Sequence, residues 1–163
     1  MALSSTLGSG SGVFRHGFQL NNMLGELDVI GEEARDPGTR LPSMMAPTLV
    51  LDEGEPRLVV GSAGSVRLAG AILQVVAAVV RQGLPVEEAI ARPRLHVDGS
   101  TAHVEGGWPD GVAEALAEDG FDAVTWAGSN LFFGGASAVE RRRGGVLGAA
   151  GDPRRGGHGC IVR

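Results

Sequence analysis

The sequence predicts an α+β domain, and three observations carry this prediction. Two β-rich runs at 48–51 and 57–60 are joined by Asp-Glu-Gly-Glu-Pro, which is a hairpin signal. A long apolar helix is indicated at 66–82, and further helical signals follow it. The tail, residues 121–163, alternates short β-like runs with pairs of glycines. Strands, then consecutive helices, then strands again is an α+β order rather than an alternating one.

Prolines and glycines mark the limits of the predicted helices. Gly83 follows the first helix, Pro85 opens the second, and Pro93 lies just beyond its end. The first helix is apolar nearly all round, so we expect it to be covered on most of its sides. The predicted helices are 66–82, 85–92 and 109–119, and the predicted short strands are 94–98 and 101–105.

Composition and charge narrow the class of protein. The 163 residues are 43% hydrophobic and 20% charged, as expected of one soluble globular domain over 1–163. A net charge of -5 argues against nucleic acid, and Arg141–Arg143 precedes a Gly pair typical of a solvated hairpin turn. The apolar run 68–80 is too short to span a membrane. The chain shows no secretory signal, which leaves the compartment open and predicts the cytoplasm only if these residues are the whole protein.

The sequence contains no familiar metal or triad pattern. The histidines lack metal-ligand spacing, and we interpret His96 and His103, which flank a predicted hairpin, as structural or solvent-facing. Cys160 is the single cysteine, so no intrachain disulfide forms, and we interpret it as an inert thiol. A Ser/His/Asp triad drawn from Ser43, a histidine and Asp28 has no local support. We therefore predict no metal and no cofactor.

Three motifs carry chemistry, and each also has a purely structural interpretation. In 19–26, paired asparagines precede Gly25-Glu26, a turn that can aim a carboxylate into a cleft or simply expose it to solvent. In 40–48, a hydroxyl and two methionines lie between prolines, as a pocket wall or as a corner of the core. In 60–67, a strand, a Gly-rich turn and a helix start suit a phosphate, a carboxylate or an oxyanion.

Together and in this order, the three motifs resemble the small subunit of γ-glutamyltransferases, members of the N-terminal-nucleophile hydrolase superfamily. Related segments cover nearly the whole chain. They are SSTLGSGSGV, QLNNMLGE, RLPSMMAPTLVL, GSAGSVR, ARPRLHV, LFFGGASAVE and GAAGDPRRGG. The resemblance implies a four-layer αββα sandwich that a large subunit completes. It also implies a small-molecule γ-glutamyl substrate such as glutathione.

The resemblance implies a role for each motif residue. Glu26 would hold the substrate's α-amino group, next to the paired amide Asn22. The backbone N–H groups of Gly64 and Ser65 would form the oxyanion hole. The remaining matches are Ser43 and Met44, which stand where the family contacts the α-carboxylate, and Arg67, which matches a recurrent arginine of unassigned role.

Two substitutions depart from the better-known branch of the family. Met44 replaces a second serine, which loosens the expected recognition of the carboxylate and leaves open other acyl groups, as in related cephalosporin acylases. Ser65 replaces the second glycine of the oxyanion turn. Serine still supplies a backbone N–H there, provided that its backbone can adopt the turn without glycine.

The catalytic threonine of the family has no counterpart in this sequence. Family members cut themselves before a threonine, whose own α-amine then acts as the general base. The chain opens at Met1-Ala2-Leu3, inside the family's second strand, so we expect one central strand and the nucleophile to be absent. Trimming to Ser4, Ser5 or Thr6 would not restore them, since those residues line the cleft in the family.

Two functions remain open at this point. In the first, the chain is part of a γ-glutamyltransferase or hydrolase that works through a γ-glutamyl-threonine intermediate and is inactive alone. In the second, it is a non-catalytic relative that binds a glutamate-like ligand or a large-subunit-like partner. Either way, uncovered sheet edges and apolar faces predict that the isolated chain self-associates or is poorly soluble.

Overall fold

A computed structural model describes residues 12–20, 25, 31, 36–40 and 43–162 of the chain. At the N-terminal end, β1 (Phe14–Arg15) and β2 (Phe18–Gln19) form a small antiparallel hairpin. The remaining elements confirm the predicted α+β order. They are β3 Thr48–Asp52, β4 Glu55–Ala63, α1 Leu68–Arg81, α2 Val86–Ala91, β5 Leu95–Asp98, β6 Thr101–Val104, α3 Val112–Glu118, β7 Asp122–Thr125, β8 Gly135–Arg141 and β9 Leu147–Gly151.

The main sheet is antiparallel, in the order β3-β4-β8-β9. Alternate residues of its strands point to one face, where α1 and α2 cover them. Leu58 and Val60 of β4 meet Val75 and Val79 of α1, and each of these side chains is almost completely buried. Burial of such a side chain contributes about 1.5–3 kcal/mol. This layer fixes the end of β4 against the start of α1.

The opposite face of the main sheet is apolar and is not covered by any part of the chain that the structure describes. Leu49, Val59 and Val139 lie side by side in register across β3, β4 and β8. Leu49 is 52% exposed and Val139 is 48% exposed. A contiguous apolar surface of this kind is typical of a face that another layer covers.

Helix α1 is covered on most of its sides, as its sequence predicts. Its inner residues are buried, but Leu73 is 68% exposed on the outer side. Within Leu68–Arg81 only Ala69, Leu73 and Arg81 are exposed, so the prediction that the helix is covered on most of its sides is confirmed.

A second sheet lies next in the chain and carries α3. Strands β5 and β6 are antiparallel, and β6 pairs with β7 in parallel. Its register places His96 directly opposite His103, so the two histidines form a cross-strand pair instead of flanking the hairpin. No helix within the described residues is both long and apolar enough to cross a membrane.

Candidate functional site

The turn between β4 and α1 has an unusual backbone. Gly64 has φ 131° and Ser65 has φ 53°, so two successive residues lie on the positive side of φ. A 3₁₀ turn, Ser65–Arg67, then leads directly into α1. Ser65 thus adopts without glycine the left-handed conformation that its position demands, at a cost on the order of 1 kcal/mol. Such strain is retained where the surrounding structure holds the turn in place.

The turn packs against a second glycine-rich segment at the start of β8. A Cβ atom on Gly64 would lie 2.7 Å from the Cα atom of Gly134. A Cβ atom on Gly134 would in turn lie 2.9 Å from the carbonyl oxygen of Ala63. Real Cβ atoms do not approach other atoms this closely, so both positions need glycine. The two backbones are therefore in direct contact, without side chains between them.

Arg67 ends the turn and lies on an aromatic cluster, defined here as His96, His103, Trp126, Phe132 and Phe133. Its guanidinium carbon is 4.6 Å from the centroid of the Phe132 ring, a cation–π geometry. Its Nε atom is buried and has no hydrogen-bond partner within the described part of the chain. The contact orients the arginine and fixes the end of the turn to the second sheet.

The aromatic cluster is held together by ring contacts and one side-chain hydrogen bond. The His96 and His103 rings stack with centroids 6.2 Å apart, and Phe132 meets His103 edge-on at 4.8 Å. Trp126 Nε1 donates to Nδ1 of His103 at 3.4 Å, which makes that nitrogen an acceptor. These contacts support a structural role for both histidines, because the histidines connect the second sheet through Phe132 to Arg67 at the end of the turn.

Acidification should destabilise the folded chain through His96. Burial lowers the pKa of His96, and the positive charge of Arg67 and the neighbouring His103 lower it further, against a smaller opposing effect of Asp98. The unfolded chain therefore takes up a proton near pH 6.5 that the folded chain resists, so the stability present above that pH is lost as the pH falls. We expect the melting temperature of wild type to fall more between pH 7 and pH 5 than that of His96→Gln.

The control for this pH effect is His158→Gln, because His158 is exposed. Its melting temperature should follow the wild-type pH profile. Equal pH profiles for wild type and His96→Gln would contradict a role of His96 in the pH dependence.

A buried network of four charges lies behind the turn, and no motif in the sequence predicts it. Arg94, Glu105 and Asp152 are each 1–2% exposed, and the Arg154 side chain is 1% exposed. Arg94 Nη2 is 2.6 Å from Asp152, and Arg154 contacts both Asp152 and Glu105. The only sequence signals were the Asp-Pro-Arg-Arg turn and an acidic residue directly after a strand, and neither indicates burial.

The network joins five segments of the fold. Glu105, after β6, accepts from the backbone N–H groups of Arg94 and Asn130 at 2.8 and 2.9 Å. Asp152 accepts from the N–H of Ala136 in β8 at 2.9 Å. Arg154 donates to the carbonyl oxygens of Ile90 and Arg92 at the end of α2. The start of β8, which touches the turn at Gly64, is thereby fixed to both sheets.

Charge pairing favours the ionised forms of Asp152 and Arg154. Burial raises the pKa of Asp152, but Arg94 and the N–H groups of Ala136 and Arg154 together outweigh it, so the pKa lies below its usual value. Burial likewise opposes the charge of Arg154, while Glu105 and Asp152 raise its pKa overall. Burial and Arg154 lower the pKa of Arg94, yet arginine titrates so far above neutrality that it remains a guanidinium.

Of the other predicted site residues, two lie at the same end of the main sheet as the turn. Thr48, the first residue of β3, pairs with Val60, and the strands are antiparallel, so the chain just before β3 runs beside the end of β4. Ser43 and Met44 belong to that segment, with Ser43 exposed and Met44 half-buried. The Ser43 hydroxyl accepts a hydrogen bond from the N–H of Met45 at 3.1 Å.

The first motif lies mainly outside the described residues. Asn22 and Glu26 both fall there, so their predicted roles are not examined by the structure. Of the described site residues, the structure brings Gly64, Ser65 and Arg67 together in one turn. The described residues contain no group of three or more histidine, cysteine, aspartate or glutamate side chains placed to hold a metal ion.

Solved structures define the class of protein. The chain matches γ-glutamyltranspeptidase from Pseudomonas nitroreducens with a TM-score of 0.72 and 31% identity, over 94% of this chain and 88% of that one. It matches the transpeptidase CapD of Bacillus anthracis with a TM-score of 0.74 and 27% identity, over 98% and 91%. The fold is therefore of the N-terminal-nucleophile hydrolase type, present in incomplete form, as its motifs predicted.

Sequence comparison then identifies the family. The γ-glutamyltranspeptidase family profile matches residues 1–162. A glutathione hydrolase proenzyme of Pseudomonas aeruginosa is 32% identical over 99% of this chain, and the capsule biosynthesis protein CapD proenzyme of Bacillus anthracis is 30% identical over 91%. The chain belongs to the γ-glutamyltranspeptidase family. It spans about a third of the length of these curated relatives, 31% and 28% respectively.

Proposed function

We propose that this chain supplies the substrate pocket and the oxyanion turn of an enzyme that transfers or hydrolyses γ-glutamyl groups. The observation that carries the proposal is the turn at Gly64 and Ser65, where two successive positive φ values precede the start of α1. Successive backbone N–H groups at a helix start favour a negatively charged oxygen. Ser43 and Met44 at the same end of the sheet, together with Asn22 and Glu26, would bind the α-carboxylate and α-amino groups.

The proposed reaction uses a threonine that we place outside residues 1–163. Its hydroxyl attacks the γ-carbonyl carbon while its α-amine takes the hydroxyl proton. The negative charge that develops on the carbonyl oxygen is stabilised by the backbone N–H groups of Gly64 and Ser65. The amide bond then breaks, the leaving amine takes up the proton, and a γ-glutamyl ester remains on the threonine. Water or an amine acceptor cleaves this ester in the second step.

Each group proposed for the pocket matches a feature of the substrate. A γ-glutamyl compound carries a free ammonium and a free carboxylate on one carbon, so its site needs a carboxylate and donors close together. In this proposal Glu26 is the carboxylate that binds the ammonium, and the Ser43 hydroxyl is one of the donors to the substrate's carboxylate. Met44 cannot donate a hydrogen bond to a carboxylate. Relatives named acylase and capsule biosynthesis protein show that the family includes members named for other activities.

The partner that we propose is a large-subunit chain that covers the free apolar face of the main sheet. Leu49, Val59 and Val139 form a flat surface that the described residues leave open, and the relatives named proenzymes extend far beyond the matched region. Packing of a second sheet on this face would complete the αββα sandwich. Without it, the isolated chain would associate with itself through the same surface.

The experiment is an assay for release of the chromophore from a γ-glutamyl anilide. The isolated 163-residue chain should release none and keep an unmodified mass. The same residues produced within a precursor that also encodes a large subunit and the threonine strand should release it, and Glu26→Gln in that precursor should raise KM strongly. The matched control is Glu55→Gln, on the surface of β4. A precursor that stays inactive but binds L-glutamate would instead support a non-catalytic binding protein.

A further inference from the structure

Arg67 closes the turn between β4 and α1 through its own backbone. Its N–H donates to the carbonyl oxygen of Gly64 at 3.1 Å, so a displacement of Arg67 acts directly on the two residues with positive φ. No carboxylate among the described residues pairs with its guanidinium, which lies over the ring of Phe132 at 4.6 Å from the centroid. Because the backbone of the turn is strained, this side-chain contact helps to hold its shape.

Phe132 is a fixed support that two histidines contact. Its N–H donates to Oδ1 of Asn130 at 2.9 Å, and the N–H of Asn130 donates to the buried Glu105 at 2.9 Å. The centroid of the Phe132 ring lies 4.8 Å from that of His103 and 5.9 Å from that of His96, and both contacts are edge-on. The two imidazoles therefore share one anchored aromatic ring with the arginine of the turn.

The charged and titratable groups that act on His96 come from three segments of the described structure. Arg67 belongs to the turn, His103 lies opposite His96 on β6, and Asp98 follows it on β5. Nδ1 of His103 accepts the N–H of Trp126, so a proton on that nitrogen would remove the hydrogen bond. A proton on either imidazole would add a cation to the group that contains Arg67. Asp98 is the one carboxylate among these groups.

We propose that His96 and His103 are positioning residues of a proton-dependent switch, which keeps the turn at Gly64 ordered while both imidazoles are neutral and releases it in acid. The inference rests on the proposed function, because it takes this turn to be the oxyanion site. In the released state Arg67 leaves the ring of Phe132, so the like charges separate and the strained backbone relaxes. The switch thus regulates the fraction of chains that have an ordered turn.

The direction of the switch follows from proton linkage. Burial, Arg67 and His103 lower the pKa of His96 while the turn is ordered, against a smaller opposing effect of Asp98. Once Arg67 has moved away, the same imidazole takes up a proton closer to its ordinary pKa of about 6.5. The released state therefore binds more protons, so the ordered turn is favoured above about pH 6.5 and loses population as the pH falls below it.

The test uses the intact 163-residue chain and amide hydrogen exchange of the peptide 61–68, with its protection referred at each pH to the unstructured exchange rate. Between about pH 7.5 and about pH 5.5, this protection should fall about tenfold more than that of 86–92, which contains the buried residues of α2. His96→Gln combined with His103→Gln should abolish the difference between the two peptides. His158→Gln should preserve it, because His158 is exposed.

A second variant tests the switch without altering the aromatic cluster. Asp98 is exposed and favours the imidazolium form of His96, so Asp98→Asn should move the midpoint of the protection loss to lower pH by about half a unit. The matched control is Asp119→Asn at the end of α3, which is exposed, is not among the charges that act on His96 and should leave the midpoint unchanged. An unchanged midpoint in Asp98→Asn would overturn the switch. An equal loss of protection in 86–92, or a difference that persists in the double histidine variant, would also overturn it.

An activity profile separates this inference from the proposed function. In a precursor that contains the threonine strand, acid should lower the kcat of wild type more than that of the double histidine variant, while KM differs less. If 61–68 loses protection as expected but the two kcat profiles coincide, the result supports the switch and contradicts the oxyanion role of the turn. If the precursor is active but 61–68 shows no loss of protection in acid, the switch is overturned and the proposed function stands.

Discussion

Replacement of Asp152 with asparagine lowers the free energy of unfolding by about 3–5 kcal/mol, the range expected when one partner of a buried ion pair is removed. Asp152 is 2% exposed and accepts hydrogen bonds from Ala136 and Arg154 in addition to its pair with Arg94. Asparagine keeps the shape but removes the charge, so Arg94 remains buried without a full counterion. The NH₂ group of the new asparagine side chain would also replace one carboxylate oxygen, and it cannot accept the hydrogen bonds that this oxygen accepted. Urea denaturation followed by circular dichroism at low micromolar concentration measures the effect.

The control for the Asp152 variant is Glu55→Gln. Glu55 is 71% exposed and its pair with Arg141 spans 3.5 Å, so its loss should change the free energy of unfolding by less than about 1 kcal/mol. A combined Arg94→Met and Asp152→Leu chain should recover part of the stability, because it removes both charges together. If Asp152→Asn behaves like Glu55→Gln, the network does not hold β8 to the second sheet.

The elements with strong local signals could be predicted from the sequence. The hairpin at 48–60 and the helix from Pro85 to Pro93 follow from turn and proline chemistry that acts within a few residues, and both are present. The turn after β4 was recognised for the same reason. The order of strands and helices therefore followed from local signals, and so did the α+β class.

The buried network could not be predicted, because its members are far apart in the chain. Arg94 and Asp152 are separated by 58 positions in the sequence (152 − 94) and meet only when β8 and β9 pair. A charged residue in sequence is normally interpreted as exposed, since burial of an unpaired charge costs several kcal/mol. Only the folded structure shows that Arg94 and Arg154 each form an ion pair with a buried carboxylate. The exposure of Leu73 likewise depends on which elements pack against α1, and the hydrophobic periodicity of the sequence does not show which elements do so.

The candidate site also contains residues that a local motif predicts and residues that only the fold brings to it. Gly64 and Ser65 were assigned from a contiguous motif, and the structure gives them the positive φ values that such a turn needs. Arg155 lies in the segment GAAGDPRRGG, whose sequence indicates no role for it, since its position over Gly135 depends on β8 and the 153–155 turn. The assignments of Asn22 and Glu26 remain predictions from the family resemblance.

Replacement of Gly64 with alanine should disrupt the turn and lower the free energy of unfolding by about 2–4 kcal/mol, combining overpacking with backbone strain. The new Cβ would lie 2.7 Å from the Cα of Gly134, which is backbone and cannot rotate away. The φ of 131° is also one that alanine avoids. Gly134 and the start of β8 must therefore move. In a precursor that contains the threonine strand, the displaced N–H groups should reduce kcat about 100-fold or more, while KM changes less.

The matched control is Gly61→Ala, three residues before Gly64 and within β4. A Cβ atom there would have no heavy atom within 4 Å, and its φ is not positive. Alanine in a strand loses less conformational entropy than glycine on folding, so this variant should be unchanged or more stable by up to about 1 kcal/mol. A Gly64→Ala chain as stable as Gly61→Ala would show that the turn adapts to a side chain. In that case the close contact between Gly64 and Gly134 would not define the oxyanion site, and the glycine requirement there would have to come from the ligand.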